Sequence, residues 1–170
     1  MRSHPLFVPI LSAILLAACG SDAPPPTEQV GGSVEQPARP APTAALTPLP
    51  EGALHVDGVY RAKLGGVAYV MRFFPEGYVM NTAGMAKDAD GLKTLLVPST
   101  PVDGNSAVHR SAVRINGDSV LFTTHGMKGE IDYQGLRLGT DSIRFRKYSH
   151  INGRDVTVTY FFEPDALSAQ

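Results

Sequence analysis

Apolar and polar residues alternate along most of the chain from residue 55 to residue 162, in short runs cut by turn residues. Over 55–64, Tyr60, Ala62 and Leu64 fall on one side, and Val59, Arg61 and Lys63 on the other. Over 67–74 and 78–82, Tyr69, Met71, Phe73 and Val79 share the inward phase, leaving Phe74 and Tyr78 as a cross-strand pair outside. Five further runs cover 107–115, 119–124, 130–138, 142–148 and 154–162. A period of two marks a strand with one buried face, and short runs between turn signals predict hairpin-connected antiparallel strands.

The turns set the pairing. Gly65-Gly66 as a two-residue loop pairs Leu64 with Val67, Ala62 with Tyr69 and Tyr60 with Met71, so the apolar sides coincide. Asn116-Gly117 read in the same way places Ile115 opposite Asp118, Val113 opposite Val120 and Ser111 opposite Phe122. Asn152-Gly153 places Ser149 opposite Val156, Lys147 opposite Val158, Phe145 opposite Tyr160 and Ile143 opposite Phe162. Phe74-Pro75-Glu76-Gly77 has the proline and glycine of a type I turn with a left-handed glycine. Gly135 separates Ile131 and Tyr133 from Leu136 and Leu138, which lie in opposite phases, and predicts a bulge.

The period is lost over 83–106, where Asp88-Ala89-Asp90 starts a short helix through Leu92, Leu95 and Leu96, ended by Pro98. That segment either closes one end of the sheet or covers its edge. The expected fold is all-β: eight antiparallel strands in an up-and-down barrel, with one short helix or long loop between strands three and four. Eight strands close around an interior that side chains fill, or that holds one small ligand.

Composition adds an address. The chain has 170 residues, 14 prolines and 17 glycines, and residues 21–50 contain eight of the prolines. That stretch lacks the apolar surface to fold and reads as a tether; at about 3.1 Å per residue, thirty residues reach at most on the order of 90 Å. Before it, Arg2 precedes an apolar run over 6–18, too short for the ~20 residues of a membrane-spanning helix. A charged start, an apolar middle and small residues at the end form a secretory signal. Leu16-Ala17-Ala18-Cys19 resembles the bacterial lipobox, whose cysteine is lipidated after cleavage of the signal; an ordinary signal peptide or an uncleaved anchor is the alternative. Cys19 is the sole cysteine, so no internal disulfide forms. Each buried acyl methylene contributes about 0.8 kcal/mol, so two or three chains anchor durably. Gly20 in place of Asp implies, by the same resemblance, sorting to the outer membrane. The divisions expected are a signal peptide at 1–18, a lipid-anchored Pro-rich linker at 19–53, a barrel at 54–164 and a tail at 165–170.

Gly58-Val59-Tyr60, Arg72-Phe73-Phe74-Pro75-Glu76-Gly77, Ile131-Asp132-Tyr133-Gln134-Gly135 and Ile151-Asn152-Gly153 resemble the turn grammar of small lipocalin-like (calycin-type) bacterial lipoproteins. Tyr60 stands where lipocalins carry tryptophan, and the chain has none. The resemblance implies architecture and transfers no ligand. Net charge is −1, and basic residues are scattered, which disfavours nucleic acid. His55, His109, His125 and His150 lie on separate segments without metal-ligand spacing, and nucleotide, hydrolase and zinc-protease motifs are absent from the sequence. No enzyme and no cofactor is expected. His109, Ser111, Lys147 and Ser149 fall on the apolar face towards strand ends, as a polar fringe that orients a head group or is simply wet. The candidate ligand-binding residues are Tyr60, Tyr69, Phe73, His109, Tyr133, Phe145, Lys147 and Tyr160, although the tyrosines equally suit a core. Two readings follow: a carrier of a small apolar or amphipathic ligand, or a filled barrel that binds an envelope protein through outer groups such as Phe74, Tyr78 and Phe161.

Cys19→Ser is expected to leave the precursor unacylated and uncleaved. Labelling with radioactive fatty acid checks this, and equal labelling of wild type and variant rejects the lipobox.

Overall fold

The computed structural model describes residues 45–103 and 105–166. The signal peptide, Cys19, linker residues 19–44 and tail residues 167–170 lie outside the described residues. Nine antiparallel strands form one sheet: β1 Gly58–Leu64, β2 Val67–Phe74, β3 Tyr78–Met85, β4 Val108–Ala112, β5 Arg114–Asn116, β6 Ser119–Gly126, β7 Gly129–Arg137, β8 Ser142–Ser149 and β9 Asp155–Pro164. Their spatial order is β4-β3-β2-β1-β9-β8-β7-β6-β5, an up-and-down arrangement curled into a nearly closed barrel. The expected eight become nine because the run 107–115 breaks at Val113. Before the break β4 pairs with β3; after it β5 pairs with β6. Val113 is buried, its N–H donates to the Gly77 carbonyl at 2.9 Å, and the chain bends there from one sheet edge to the other. Between β4 and β6 the Ser111 hydroxyl donates to the Thr123 carbonyl at 2.7 Å, a side chain acting where ladder bonds stop.

The Gly65-Gly66 hairpin has the expected register, with Gly65 at φ 61°. The other two hairpins are displaced by two residues. Asn116 faces Ser119 and Ile115 faces Val120, so the loop is Gly117-Asp118, with Gly117 at φ 55°. Lys147 faces Val156 and Phe145 faces Val158, because a longer loop forms in which the Ser149 N–H donates to the Arg154 carbonyl. A shift of two preserves the side-chain phase, so the inward faces remain those of the alternation.

That inward face is packed with rings. Tyr60, Phe73, Phe122, Tyr133, Phe145 and Tyr160 form one cluster with Val79, Val113, Val120 and Ile143. Phe145 makes edge-to-face contacts with Phe122, Tyr133 and Tyr160 at 5.6–5.8 Å between centroids. Gly135 is no bulge. β7 pairs without interruption on both sides, and its glycine makes room for Phe145, whose ring would stand 2.5 Å from an added Cβ. Leu136 and Leu138 remain outside, exposed.

Outside β1–β4 lies a second apolar layer. A 3-10 turn at Ala86–Asp88 and α1, Ala89–Thr94, neither cap a barrel end nor cover an edge. They bring Leu92 and Leu96 onto Val59, Val70, Phe74, Tyr78, Met80 and Val108. Phe74 and Tyr78, expected outside, are therefore only 8% exposed each, their rings stacked at 4.4 Å. Asp88 occupies the helix N-cap position without a side-chain capping bond. Ion pairs from Arg61 to Asp90 and from Lys93 to Glu163 hold the helix, and Arg72 grips Asp165 through two hydrogen bonds at 2.7 and 2.9 Å.

Packing also begins before Leu54. The Leu49 N–H donates to the Pro75 carbonyl, Arg137 donates to the Ala53 carbonyl, and the His55 ring stacks on Phe162 at 4.1 Å. Residues 47–55 thus cover the barrel end that contains Gly77, where an added Cβ would meet the Thr47 carbonyl at 1.9 Å.

Gly135→Ala is expected to destabilise by about 1–3 kcal/mol through overpacking against Phe145. Phe73→Ala and Phe145→Ala should each cost about 3–5 kcal/mol, and Phe74→Ala more than half as much, because it too is enclosed. Urea denaturation of the four variants checks the ranking.

Candidate functional site

One barrel end is covered by residues 47–55, and polar groups collect at the other. The inward phases of β2, β3, β4, β6, β7 and β8 carry Tyr69, Asn81, His109, Thr124, Tyr133 and Lys147 towards that mouth. Lys147 is the unusual one. It is 7% exposed, and its Nζ lies 3.8 Å from the centroid of the Tyr69 ring and 5.0 Å from that of Tyr133. It joins no ion pair among the described residues. Cation–π contact with two rings recovers part of the lost hydration. Burial nevertheless depresses its pKa from the ordinary 10.5 to about 8, with nearby Arg154 adding to the effect. Asn81 is buried as well, and its Nδ2 has no hydrogen-bond partner among the described residues. Unmade bonds of this kind cost free energy, and a ligand atom that accepts them recovers it.

Below this layer the barrel is closed. Phe122 stacks on Tyr133 at 4.3 Å, and Phe145 lies edge-on to both. Burial raises the pKa of Tyr133 and of Tyr160, so both stay as neutral phenols. At the mouth a cavity of about 270 Å³ is lined by Ser106, His109, Thr124, Ile131 and Ile151, among others.

The sequence candidates thus divide. Lys147, Tyr69 and Tyr133 come together. His109 faces the mouth cavity. Phe73, Phe145 and Tyr160 are core. Tyr60 belongs to the covered end, where its hydroxyl donates to the Thr140 carbonyl at 2.7 Å and accepts the His55 N–H; burial pushes its pKa up to about 12. Ser111 is spent on the β4–β6 link. Asn81 was not a candidate, although its phase, shared with Val79, places it inward. Thr124, Ser106 and Ile151 were also missed, because their grouping depends on curvature.

A second depression lies at the β4–β6 gap, where Val113, Phe122 and Tyr133 of the core reach its wall. This groove of about 760 Å³ is lined by Tyr78, Arg110, Arg114, Leu121, His125 and Gln134, among others. Arg110 lies 5.0 Å over the Tyr78 ring and donates to the Pro98 carbonyl. The gap that forms the groove follows from the break at Val113, which no periodicity marks. No protein-family model, curated protein or solved structure matches the chain.

The Lys147 environment has a stability signature. With a folded pKa of about 8 against 10.5, the unfolded chain holds more protons between those values. Stability therefore rises as pH increases through that window, since the folded state no longer confines a charge. Lys147→Met should be more stable than wild type at pH 7 and should flatten the rise. Urea midpoints at intervals between pH 7 and pH 10.5 check both outcomes.

Proposed function

We propose that the protein is a lipoprotein of the bacterial cell envelope, anchored at the outer membrane through Cys19. Its lipocalin-like barrel is a non-enzymatic module that binds the anionic head group of a small amphipathic molecule at the mouth. The observation that carries this reading is Lys147, an ammonium buried between two aromatic rings with no acidic partner among the described residues. A carboxylate, sulfate or phosphate oxygen supplies that partner, in a setting where low dielectric strengthens the attraction. The partner-free Asn81 amide adds a second donor on the inward face. Tyr69, Ile131 and Val156 are partly buried around it and offer apolar surface to the start of a tail. The ring-filled interior leaves no room for a long chain beneath, so the ligand is held by its head and not swallowed.

A second reading, an envelope protein docked on the barrel, draws on the filled interior and on the outer groove beside Arg110 and Arg114. In that reading Phe161 remains an exposed apolar contact, whereas Phe74 and Tyr78 are covered.

Displacement of a fluorescent fatty acid tests the head-group site. Wild type should bind at pH 7, and more weakly once Lys147 loses its proton above about pH 8. Lys147→Met should lower affinity roughly ten- to a hundredfold, the worth of one charge-assisted contact, without lowering the melting temperature. No binding across carboxylate, sulfate and phosphate amphiphiles rejects this reading and leaves the docked protein.

A further inference from the structure

The mouth is rimmed by large apolar side chains that the barrel does not bury. Leu64 and Val67 flank the β1–β2 turn and are each 37% exposed. Met85 pairs with Val67 at the end of β3 and is 62% exposed. Across the opening, Met127 on the β6–β7 turn is 74% exposed, and Ile151 follows β8 at 45%. Ile151 lies close to Gly129, and both it and Met127 line the mouth cavity. The register places Leu64, Val67 and Met85 in the same phase as the core residues below them. Each is thus the last member of an inward row, left without a neighbour where the barrel stops.

Charges of both signs lie at this end. On the barrel flank Glu130 sits 2.9 Å from His125, Asp132 2.7 Å from His150 and Asp155 beside Arg146, while Asp88 and Asp103 are exposed and join no ion pair among the described residues. Lys63, Lys128 and Arg154, beside the three turns, are exposed and join no ion pair among the described residues. Apolar turn tips interleaved with free cations match one kind of surface, a bilayer interface with anionic head groups.

We infer that the barrel docks mouth-first on an anionic lipid surface. Leu64, Val67, Met85, Met127 and Ile151 enter the head-group boundary, and Lys63, Lys128 and Arg154 meet lipid phosphates. Insertion of turn tips buries apolar surface that is otherwise wet, and cations next to a negative surface add attraction that salt weakens. The inference goes beyond the head-group site and stands without it, since it needs no molecule bound at Lys147. Both arrangements present the mouth to lipid, so a membrane-derived amphiphile would not have to cross water.

The chain has no tryptophan, so single tryptophans report position without background. Met127→Trp and Met85→Trp mark the rim; Phe161→Trp, exposed on the outer face near the covered end, is the control. The full chain is mixed with vesicles of brominated phosphatidylcholine containing phosphatidylglycerol, with thermal melts run beside it. Docking predicts that both rim tryptophans are quenched roughly twofold more than the control, as for side chains entering the boundary. Raising salt, or the pair Lys63→Glu and Lys128→Glu, should bring rim quenching down to that of the control, while the variants melt with wild type. Equal quenching at all three positions, none at any, or rim quenching indifferent to phosphatidylglycerol and salt overturns the proposal. A rim response to envelope protein extract in the absence of lipid overturns it as well, in favour of a protein partner. Loss of fatty-acid binding in Lys147→Met with intact rim quenching separates the two sites.

Discussion

The structure depends on how one ring is seated. Phe145 occupies the middle of the barrel in edge contact with Phe122, Tyr133 and Tyr160, and lies against the bare backbone of Gly135. Any side chain at that glycine would drive the ring off its seat, and the three aromatics that lean on it would have to move. Filling of this kind decides what the barrel can do. A nearly closed sheet of this size admits either a cavity or a packed interior, and here aromatic area takes the centre. Open space is thereby left to the mouth above Tyr133 and to the groove at the β4–β6 gap.

Side-chain phase was legible in the sequence because it has a period of two, and every inward ring of the core follows from it. Register set by a two-residue turn was legible only at the β1–β2 hairpin. Gly65-Gly66 leaves the chain no alternative, whereas Asn116-Gly117 gives its positive φ to Gly117 with Asp118 as the next loop residue, and Asn152-Gly153 sits inside a wider loop. Both errors were of two residues, the smallest slip that leaves all faces in place. Three features were illegible for a common reason. The break at Val113, the seat under Phe145 and the cover over Phe74 all arise between segments distant in sequence. A glycine between two apolar phases reads as a bulge until one knows which ring crosses it. Phe74 and Tyr78 read as surface until Leu92 and Leu96 are laid on them.

The mouth follows from the same geometry by a different route. Inward rows must end, and at the Gly77 end they are covered by residues 47–55, anchored through Leu49 and Ala53. No described segment performs that service at the opposite end, so the last inward residues emerge apolar and exposed while polar ones occupy the level beneath. Lys147 belongs to that lower level. The sequence placed it inward and near a strand end, but its confinement between Tyr69 and Tyr133 required the curvature of β2 towards β7 and β8.

A buried cation without an acidic partner weakens a fold, and stability alone would favour methionine at position 147. Two aromatic faces soften that cost without removing it, as the depressed pKa records. The cost falls at the one level of the barrel where a ligand can reach the charge and cancel it. A lysine lower down would have met the packed rings of Phe145 and Tyr160, and one higher up would have remained hydrated. Its depth is the compromise at which an arriving anion gains most: deep enough for a low dielectric, shallow enough for access. That placement would give the destabilising residue a use, and it is the reason the proposed head-group site is set at the mouth and not in the ring-filled core.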